Sequence, residues 1–254
     1  MADGCGMLVM FSFCYALKNS SLFDAWWSLA PIGLVGVWVA VSSPEVTSVR
    51  AWLVVALLSL YGVRLTWNWA KGWQGLSHED WRYVELQKKT GRGWWATSFF
   101  GLHIYPTTIV FFCCVPAWHA ISSTAAWNSL TTIAAVVLAA GLITETLSDL
   151  QLQAFRALPE HQGRTCRRGL WRFSRHPNYL GELGVWWGVF CFGLSTGEAS
   201  PWLALAPLFL SGMMVASSIP MMEERLLRTR SDYADYRETT SCLLPWLPPA
   251  SRSD

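Results

Sequence analysis

The sequence predicts an all-α fold, a polytopic membrane protein of about seven transmembrane helices with short cytoplasmic loops. Three observations lead to this fold class. The residues are 52% hydrophobic and only 14% charged, whereas soluble domains carry roughly 25% charged residues. Long apolar segments recur along the chain, and its 17 tryptophans suit a protein with two membrane–water interfaces to line. We expect one integral membrane domain over residues 1–254, with the motif-bearing half at about 127–248.

The apolar segments follow one another with only short polar connections. A membrane helix needs roughly 20 residues, and the candidate segments lie at about 5–17, 24–42, 51–70, 95–119, 127–148, 179–196 and 201–220. The first and the sixth are short, so we expect them to be tilted, buried in protein or partly interfacial. Prolines 31, 106 and 116 predict kinks that neighbouring helices can accommodate.

Basic residues alternate from one connection to the next, which predicts the orientation. The 4–5 and 6–7 connections have no Lys or Arg, and the 2–3 connection has only Arg50. The 3–4 and 5–6 connections and the tail are basic, through Lys71, Arg82, Lys88, Lys89, Arg92, Arg156, Arg164, Arg167, Arg168, Arg172, Arg175, Arg225, Arg228, Arg230, Arg237 and Arg252. By the positive-inside rule, the N-terminus lies outside and the C-terminus lies in the cytoplasm. The membrane is the cytoplasmic membrane or the endoplasmic reticulum.

Several site classes are disfavoured by the composition. The seven cysteines form no CxxC pair, so buried free thiols are expected rather than disulfides or a zinc site, and no metal is expected. The net charge of +2 does not indicate a nucleic-acid partner, because the basic residues other than Arg64 are confined to loops. No G-x-G-x-x-G element follows a strand, so a dinucleotide would have to bind between helices.

Residues 169–188 carry the densest motif, GLWRFSRHPNYLGELGVWWG. Pro177 is suited to the first position of a helix, and Asn178 and Glu182 then share one face of it. Arg175 and His176 lie at its mouth, where free backbone N–H groups favour an anion. These polar groups in an apolar helix indicate a ligand site. The alternative is a basic membrane-edge anchor followed by an ordinary span.

Two further segments carry polar stripes at helical spacing. One runs along segment five through Glu145, Asp149, Gln153 and Arg156, which recur at intervals of four, four and three residues. It indicates either a ligand-facing surface or a helix leaving the membrane with one wet side. The other runs along segment three through Tyr61, Arg64, Asn68 and Lys71. Arg64 is the one basic residue well inside a predicted span, so a partner or polar cavity must compensate its charge.

The run SRHPNYLGE followed by WWG resembles the signature of the membrane reductases related to steroid 5α-reductases and sterol C14 reductases. The resemblance extends from about Asp24 to Pro248. A weaker form, Arg-His-Pro-x-Tyr-x-Gly, also occurs in membrane methyltransferases of the isoprenylcysteine and phospholipid type. Asn178 and Glu182 favour the reductases.

The resemblance implies that Asp149 and Arg156 line an NADPH site and that Tyr61 hydrogen-bonds the substrate carbonyl. In the reductases, the partner of that tyrosine is a glutamate just ahead of a proline, whereas here Leu29 and Ala30 precede Pro31. The nearest acid is Asp24, which is either a catalytic partner or a helix-capping residue.

The expected site residues can now be stated together. We expect Tyr61 and Asp24 to be catalytic, and Glu145 and Trp27 to contact the substrate. The residues expected at the cofactor are Arg64, Asp149, Gln153, Arg156, Arg172, Arg175, His176, Asn178, Tyr179, Glu182, Tyr233 and Tyr236. Tyr233 and Tyr236 either cover a nucleotide or belong to an interfacial amphipathic helix.

The function that these expectations favour is NADPH-dependent reduction of an activated C=C in a hydrophobic enone, as in 3-oxo-5α-steroid 4-dehydrogenases. Guanidinium groups match phosphates well. Arginines that bind a 2′-phosphate would favour NADPH, which carries this group, over NADH, which does not. The partners are then a steroid or lipid substrate and membrane lipids, and the oligomeric state stays open. One alternative is an S-adenosylmethionine-dependent methyltransferase acting on a prenylated thiol or an aminophospholipid. The other is a sterol-binding membrane protein that kept the fold but lost catalysis.

Overall fold

Long apolar helices dominate the structure, a computed structural model that describes residues 2–42 and 48–245. Within these ranges all regular secondary structure is helical. Five helical stretches are long and apolar enough to cross a membrane, namely Ser20–Val41, Val49–Gly72, Trp81–Ser122, Ser129–Arg156 and Pro201–Thr229. The predicted all-α fold of a polytopic membrane protein is thereby confirmed. Residues 246–254, including Pro248 and Arg252 of the predicted tail, lie outside the described residues.

The two shortest predicted segments differ from these five. Asp3–Leu17 is an apolar helix too short to be one of them. Pro177–Leu194 is a helix of 18 residues, but polar residues such as Asn178 and Glu182 reduce its hydropathy. The count of seven spans therefore stays a prediction.

The α-helices are numbered here in chain order. They are α1 (Ala2–Leu17), α2 (Phe23–Val41), α3 (Val49–Gly72), α4 (Trp81–Thr90), α5 (Trp94–Thr97), α6 (Tyr105–Ser122), α7 (Ser129–Arg156), α8 (Pro177–Leu194), α9 (Leu205–Met213), α10 (Ile219–Thr229) and α11 (Tyr233–Thr239). Two π-helical segments, Ser98–Ile104 and Met214–Ser218, directly precede α6 and α10. The helices α2 and α6 continue through Pro31 and Pro116.

The chain divides into two compact units. The first unit comprises Met1–Ala135 and Val189–Ala206, and the second comprises Val136–Gly188 and Pro207–Asp254. Compact units need not correspond to functional domains, so one functional domain over residues 1–254 stays a prediction.

The first unit is built around the mutual packing of α2, α3 and α6. Gly62 of α3 lies against α2 so closely that a Cβ atom there would come within 2.5 Å of the Ser28 carbonyl oxygen. Arg50, at the start of α3, is 2% exposed and donates from Nη2 to the carbonyls of Ala125 and Ala126 at 3.0 and 2.7 Å. Its buried charge thus lies against backbone dipoles rather than in open solvent.

The second unit depends on a close crossing of α7 and α8. A Cβ atom at Gly141 would lie 2.6 Å from the Val185 backbone nitrogen, and one at Gly181 would lie 2.6 Å from Glu145 Cβ. One at Gly188 would lie 2.6 Å from Leu138 Cβ. Small residues let membrane helices approach closely, and the gain is van der Waals contact along both backbones. This crossing fixes the start of α8, where the motif lies.

Candidate functional site

A cavity opens within the second unit where α7 and α10 end and α8 begins. It encloses about 520 Å³ of space, part of it open solvent. Its lining comprises Leu152, Arg156, Thr165, Cys166, Trp171, Arg175, His176, Asn178, Tyr179, Met222, Leu226, Arg230, Tyr233 and Tyr236.

Many residues expected at the cofactor from the sequence meet in this cavity. They are Arg156 from α7, the motif residues Arg175, His176, Asn178 and Tyr179, and the two tyrosines of α11, Tyr233 and Tyr236. The expected residues Asp149, Gln153, Arg172 and Glu182 belong to the same unit but are not part of the lining. Arg64 belongs to the first unit.

The loop before α8 and the helix α11 are held together by hydrogen bonds. Thr165 donates from Oγ1 to Asp232 Oδ1 at 2.7 Å, and its backbone N–H points to both carboxylate oxygens. Burial acts to raise the pKa of Asp232, but these hydrogen bonds prevail and hold it below the ordinary value of 3.8. Tyr236 directs its hydroxyl at the carbonyls of Trp171 and Ser174. These bonds set one wall of the cavity.

Arg167 reinforces the same wall. Its Nη1 donates to Asp235 Oδ2 at 2.8 Å and its Nη2 donates to the Asp232 carbonyl at 2.6 Å. The guanidinium also lies over the Tyr236 ring, 5.4 Å from its centroid. Burial raises the pKa of both Tyr233 and Tyr236, so the two rings face the cavity as neutral phenols.

The motif arginine, Arg175, binds protein groups around the cavity. It donates from Nε to Glu223 Oε1 at 2.8 Å and from Nη1 to the carbonyls of Arg237 and Thr240 at 2.7 and 2.6 Å. Its backbone N–H donates to the Ser241 carbonyl at 2.8 Å. Several donors of a guanidinium expected to bind phosphate are thus engaged with α10, with α11 and with the segment after α11.

His176 completes this buried group. Its Nε2 lies 3.1 Å from Glu223 Oε1, and its ring stacks on Tyr179 with centroids 5.4 Å apart. Ligand atoms of His176, Glu223 and Cys242 all lie within 4.8 Å of one another, a spacing that could hold a metal ion. Arg175 donates to the same Glu223 oxygen and Arg237 Nε lies 3.5 Å from the other. A divalent cation would have to displace or face these positive charges.

Two arginines in the lining stand at the ends of helices. Arg156 is the last residue of α7 and Arg230 follows the last residue of α10. They are close enough to repel each other electrostatically. Burial lowers the pKa of Arg230. Since the cavity lining contains no Asp or Glu, these charges favour an anionic ligand.

Glu182, by contrast, has a partner on its own helix. It is 6% exposed, and its Oε1 accepts from Trp186 Nε1, one turn along α8, at 2.6 Å. Glu145, the expected substrate contact, is also buried and lies against Gly181 at the helix crossing. Asp149 interacts electrostatically with Arg156, and the Arg172 guanidinium lies 5.9 Å from the Phe173 ring centroid.

The first unit contains the residues expected to be catalytic. Tyr61 is fully buried on α3. Asp24 accepts from Tyr83 Oη at 2.5 Å and from Arg82 Nη2 at 2.8 Å. The N-cap of α2 is Leu22, without a side-chain hydrogen bond, so the capping interpretation of Asp24 is wrong. Trp27 packs against the cluster of Met7, Cys14 and Phe23.

Sequence reasoning missed half of the cavity lining. Arg230 and Cys166 follow no motif, and Met222 and Leu226 are ordinary apolar residues of an amphipathic helix. Tyr83, the partner of Asp24, lies 59 residues away along the chain. Tyr83 ends the polar run EDWRY at residues 79–83, but its pairing with Asp24 is identifiable only once α2 and α4 pack together.

Comparison with known proteins assigns the sequence to a family. The family model described as "Protein of unknown function (DUF1295)" matches residues 10–240. An uncharacterized protein of the fission yeast Schizosaccharomyces pombe is 23% identical over 244 residues, covering 85% of this chain and 71% of the yeast protein. No solved structure matches the chain.

Proposed function

The chain belongs to the DUF1295 family, and from that premise we propose that it is an integral membrane, NADPH-dependent reductase. Its substrate is a hydrophobic enone, a 3-oxo-Δ4 steroid or a related lipid, whose activated C=C is reduced. This proposal extends the resemblance of SRHPNYLGE to the steroid 5α-reductases and sterol C14 reductases.

One observation carries the proposal, namely the meeting of the motif with residues far from it in one cavity. His176, Asn178 and Tyr179 of the motif line it together with Arg156 from α7 and Tyr233 from α11. A membrane-edge anchor would need no such assembly, because an anchor requires only basic residues beside an apolar span. A shared cavity is what a ligand site requires.

The residues of the cavity fit a nicotinamide dinucleotide phosphate. Arg156 and Arg230 supply positive charge for phosphates, and the lining contains no carboxylate to oppose them. Sites for the non-phosphorylated dinucleotide often place an acid on the ribose 2′-hydroxyl. Trp171, Tyr179 and Tyr233 offer aromatic faces for planar rings. When bound in its reduced form, this cofactor supplies a hydride, while the protein contributes orientation and electrostatics.

The proposed catalytic group is Tyr61. By resemblance to the reductases, its hydroxyl donates a hydrogen bond to the substrate carbonyl and stabilises the negative charge that develops there. Asp24 is not a simple replacement for the reductase glutamate, because Tyr83 and Arg82 already engage its carboxylate. We propose that Asp24 instead fixes the position of α4 against α2.

The second candidate is the S-adenosylmethionine-dependent methyltransferase. Glu182 distinguishes the reductase motif from Arg-His-Pro-x-Tyr-x-Gly, and its carboxylate accepts from Trp186 within its own helix. Among the motif residues that line the cavity, Arg175, His176 and Tyr179 are common to both motifs, and Asn178 is the one that favours the reductases.

Ligand binding to the purified full-length chain in nanodiscs tests the proposal. We expect saturable binding of NADPH, no comparable binding of S-adenosylmethionine, and oxidation of NADPH when a 3-oxo-Δ4 steroid is added. In the same assay, Tyr61→Phe should keep its NADPH affinity but lose turnover by roughly a hundredfold, since a positioned acid or oxyanion donor contributes about that much.

Two results would count against these assignments. Tight S-adenosylmethionine binding without NADPH binding would establish the methyltransferase instead. Wild-type turnover in Tyr61→Phe would remove Tyr61 from catalysis and leave the cofactor assignment standing. A matched control is Tyr15→Phe, because Tyr15 is 55% exposed on α1.

A further inference from the structure

Five arginines of the second unit fall into two groups according to what their guanidinium groups bind, namely Arg156, Arg167, Arg175, Arg230 and Arg237. Arg175 donates to Glu223 and two backbone carbonyls, and Arg167 donates to Asp235 and one carbonyl. Arg237 lies within ion-pair distance of Glu223. These arginines bind protein groups and so hold the walls of the cavity in place.

Arg156 and Arg230 form the other group. Both line the cavity, and neither makes an ion pair with a carboxylate among residues 2–42 and 48–245. Asp232 lies in the electrostatic range of Arg230, but its carboxylate accepts hydrogen bonds from Thr165. Asp149 likewise acts on Arg156 electrostatically without lining the cavity.

A structural explanation of the two arginines is incomplete. Cations at helix C-termini interact favourably with the helix dipole, and Arg156 and Arg230 both occupy such positions. An arginine at each helix C-terminus would interact favourably with the helix dipole even if its side chain pointed to solvent. Instead, two mutually repelling guanidinium groups line one cavity, and a bound anion would relieve that repulsion.

We propose that Arg156 and Arg230 together bind a phosphate group in this cavity. Guanidinium groups present forked donors that match phosphate oxygens, and such charge-assisted hydrogen bonds are the strong ones. The backbone of Arg230 is fixed on both sides, since its N–H donates to Leu226 and its carbonyl accepts from Tyr233. The backbone from which the Arg230 side chain enters the cavity is therefore held by both flanking helices.

This inference rests on the proposed function only in naming the source of the phosphate. Under that proposal the phosphate belongs to the dinucleotide, as the 2′-phosphate or the diphosphate. A lipid headgroup offers the same chemistry at a membrane surface. In either case Arg230, which belongs to no motif, binds the ligand, while the motif residue Arg175 maintains the cavity.

The test compares Arg156→Gln, Arg230→Gln and Arg230→Lys with the wild-type chain in nanodiscs. We expect each glutamine variant to weaken NADPH binding by about tenfold, the loss of one charge-assisted bond. Weakening of NADPH alone assigns the 2′-phosphate, and equal weakening of NADH assigns the diphosphate. Arg230→Lys should recover part of the affinity because it keeps the charge without the fork.

Arg228→Gln is the matched control. Arg228 lies in α10, two residues before Arg230, but outside the cavity lining. Its Nη2 lies 3.8 Å from Glu224 Oε1. Its substitution should leave binding unchanged, and all variants should keep the wild-type unfolding midpoint. Midpoints that fall in step with the loss of affinity would assign the arginines to the fold and overturn the proposal.

A second experiment, with a phosphate-bearing lipid, distinguishes failure of this inference from failure of the proposed function. If NADPH does not bind the wild type, nanodiscs of phosphatidylcholine with and without phosphatidic acid are compared by tryptophan fluorescence. A response to phosphatidic acid that both glutamine variants lose supports the phosphate site and rejects the dinucleotide. Unchanged binding of every phosphate probe in both glutamine variants, or no binding of any probe to the wild type, overturns the inference.

Discussion

At the residue scale, Arg175 illustrates how the guanidinium of a motif residue can bind protein groups around a cavity that it also lines. Its side chain is nearly buried, as is that of Glu223, and the two form an ion pair at 2.8 Å. Removing one partner of a buried pair leaves an uncompensated charge, which costs roughly 3–5 kcal/mol. His176 and Arg237 also contact Glu223 and reduce that cost. Loss of function on substitution of Arg175 would therefore reflect a displaced α10 and C-terminal segment.

The lowered pKa of Asp232 predicts that the stability of the fold depends on pH. Its pKa is lower in the native state than the ordinary 3.8, so the stabilisation is fully present above about pH 3.8. It is lost as the pH falls through the lower native pKa. We expect Asp232→Ala to reduce the unfolding midpoint by about 3 °C at neutral pH, and the difference from wild type to shrink below that window.

Thermal unfolding of both chains across this pH range measures the effect. Asp235→Ala is the control, because Asp235 is exposed and pairs with Arg167 at the surface, where ion pairs contribute little. A wild-type advantage over Asp232→Ala that persisted unchanged at the lowest pH would contradict the assignment.

Which site residues could be predicted depends on the range of the interaction. Arg175, Asn178 and Tyr179 could be predicted as site residues because they lie in one contiguous motif. Arg230 and Cys166 enter the cavity only when α10 and the loop before α8 pack together, and no local pattern encodes that packing. The Glu182–Trp186 contact is local at four residues, but the spacing alone did not reveal which polar group Glu182 meets.

At the scale of elements, the crossing of α7 and α8 depends on glycines that tolerate no side chain. A Cβ atom at Gly141 would lie within 2.7 Å of Val185 N, Gly181 O and the Gly184 carbonyl carbon. All three are backbone atoms, so no flexible side chain can move aside. The helices would have to separate, and the start of α8 would move with them.

Gly141→Ala should therefore destabilise the chain, by about 1–3 kcal/mol as for other overpacked substitutions, and should weaken binding at the cavity. Gly212→Ala is the matched control, since a Cβ atom there meets nothing within 4 Å. In a helix interior, alanine is favoured over glycine by roughly 0.5–1 kcal/mol. The two unfolding midpoints should thus move in opposite directions, and a shift of the same sign in both variants would contradict a tight crossing.

The long helices were predictable because each is an apolar run bounded by polar residues. The stretch Trp81–Ser122 is longer than its predicted segment of 95–119, since α4 extends the helical path into a polar sequence. The π-helical segment Ser98–Ile104 was not predicted. It is characterised by backbone hydrogen bonding rather than by a residue pattern, and the buried ring of His103 lies within it.

At the scale of the whole molecule, the charge pattern of the connections predicts one topology. Positions 89 and 164 lie in basic connections, and position 200 lies in the connection without Lys or Arg. In a cysteine-free background, Lys89→Cys and Arg164→Cys should be labelled by an impermeant reagent from the cytoplasmic side, and Ser200→Cys from the opposite side. All three parent residues are exposed. Labelling of positions 89 and 164 from opposite sides would contradict the seven-span topology.

The order in which the cavity is assembled follows from where its parts lie along the chain. Its walls come from residues between Leu152 and Tyr236, and Arg175 is bound to the carbonyls of Thr240 and Ser241. During translation the N-terminal parts of a chain emerge and fold first. The apolar helices can therefore enter the bilayer while the ribosome is still adding residues, but the pocket has no closing wall until the residues around Ser241 have been released. Any ligand of this pocket would therefore meet its complete lining only after the residues around Ser241 have left the ribosome.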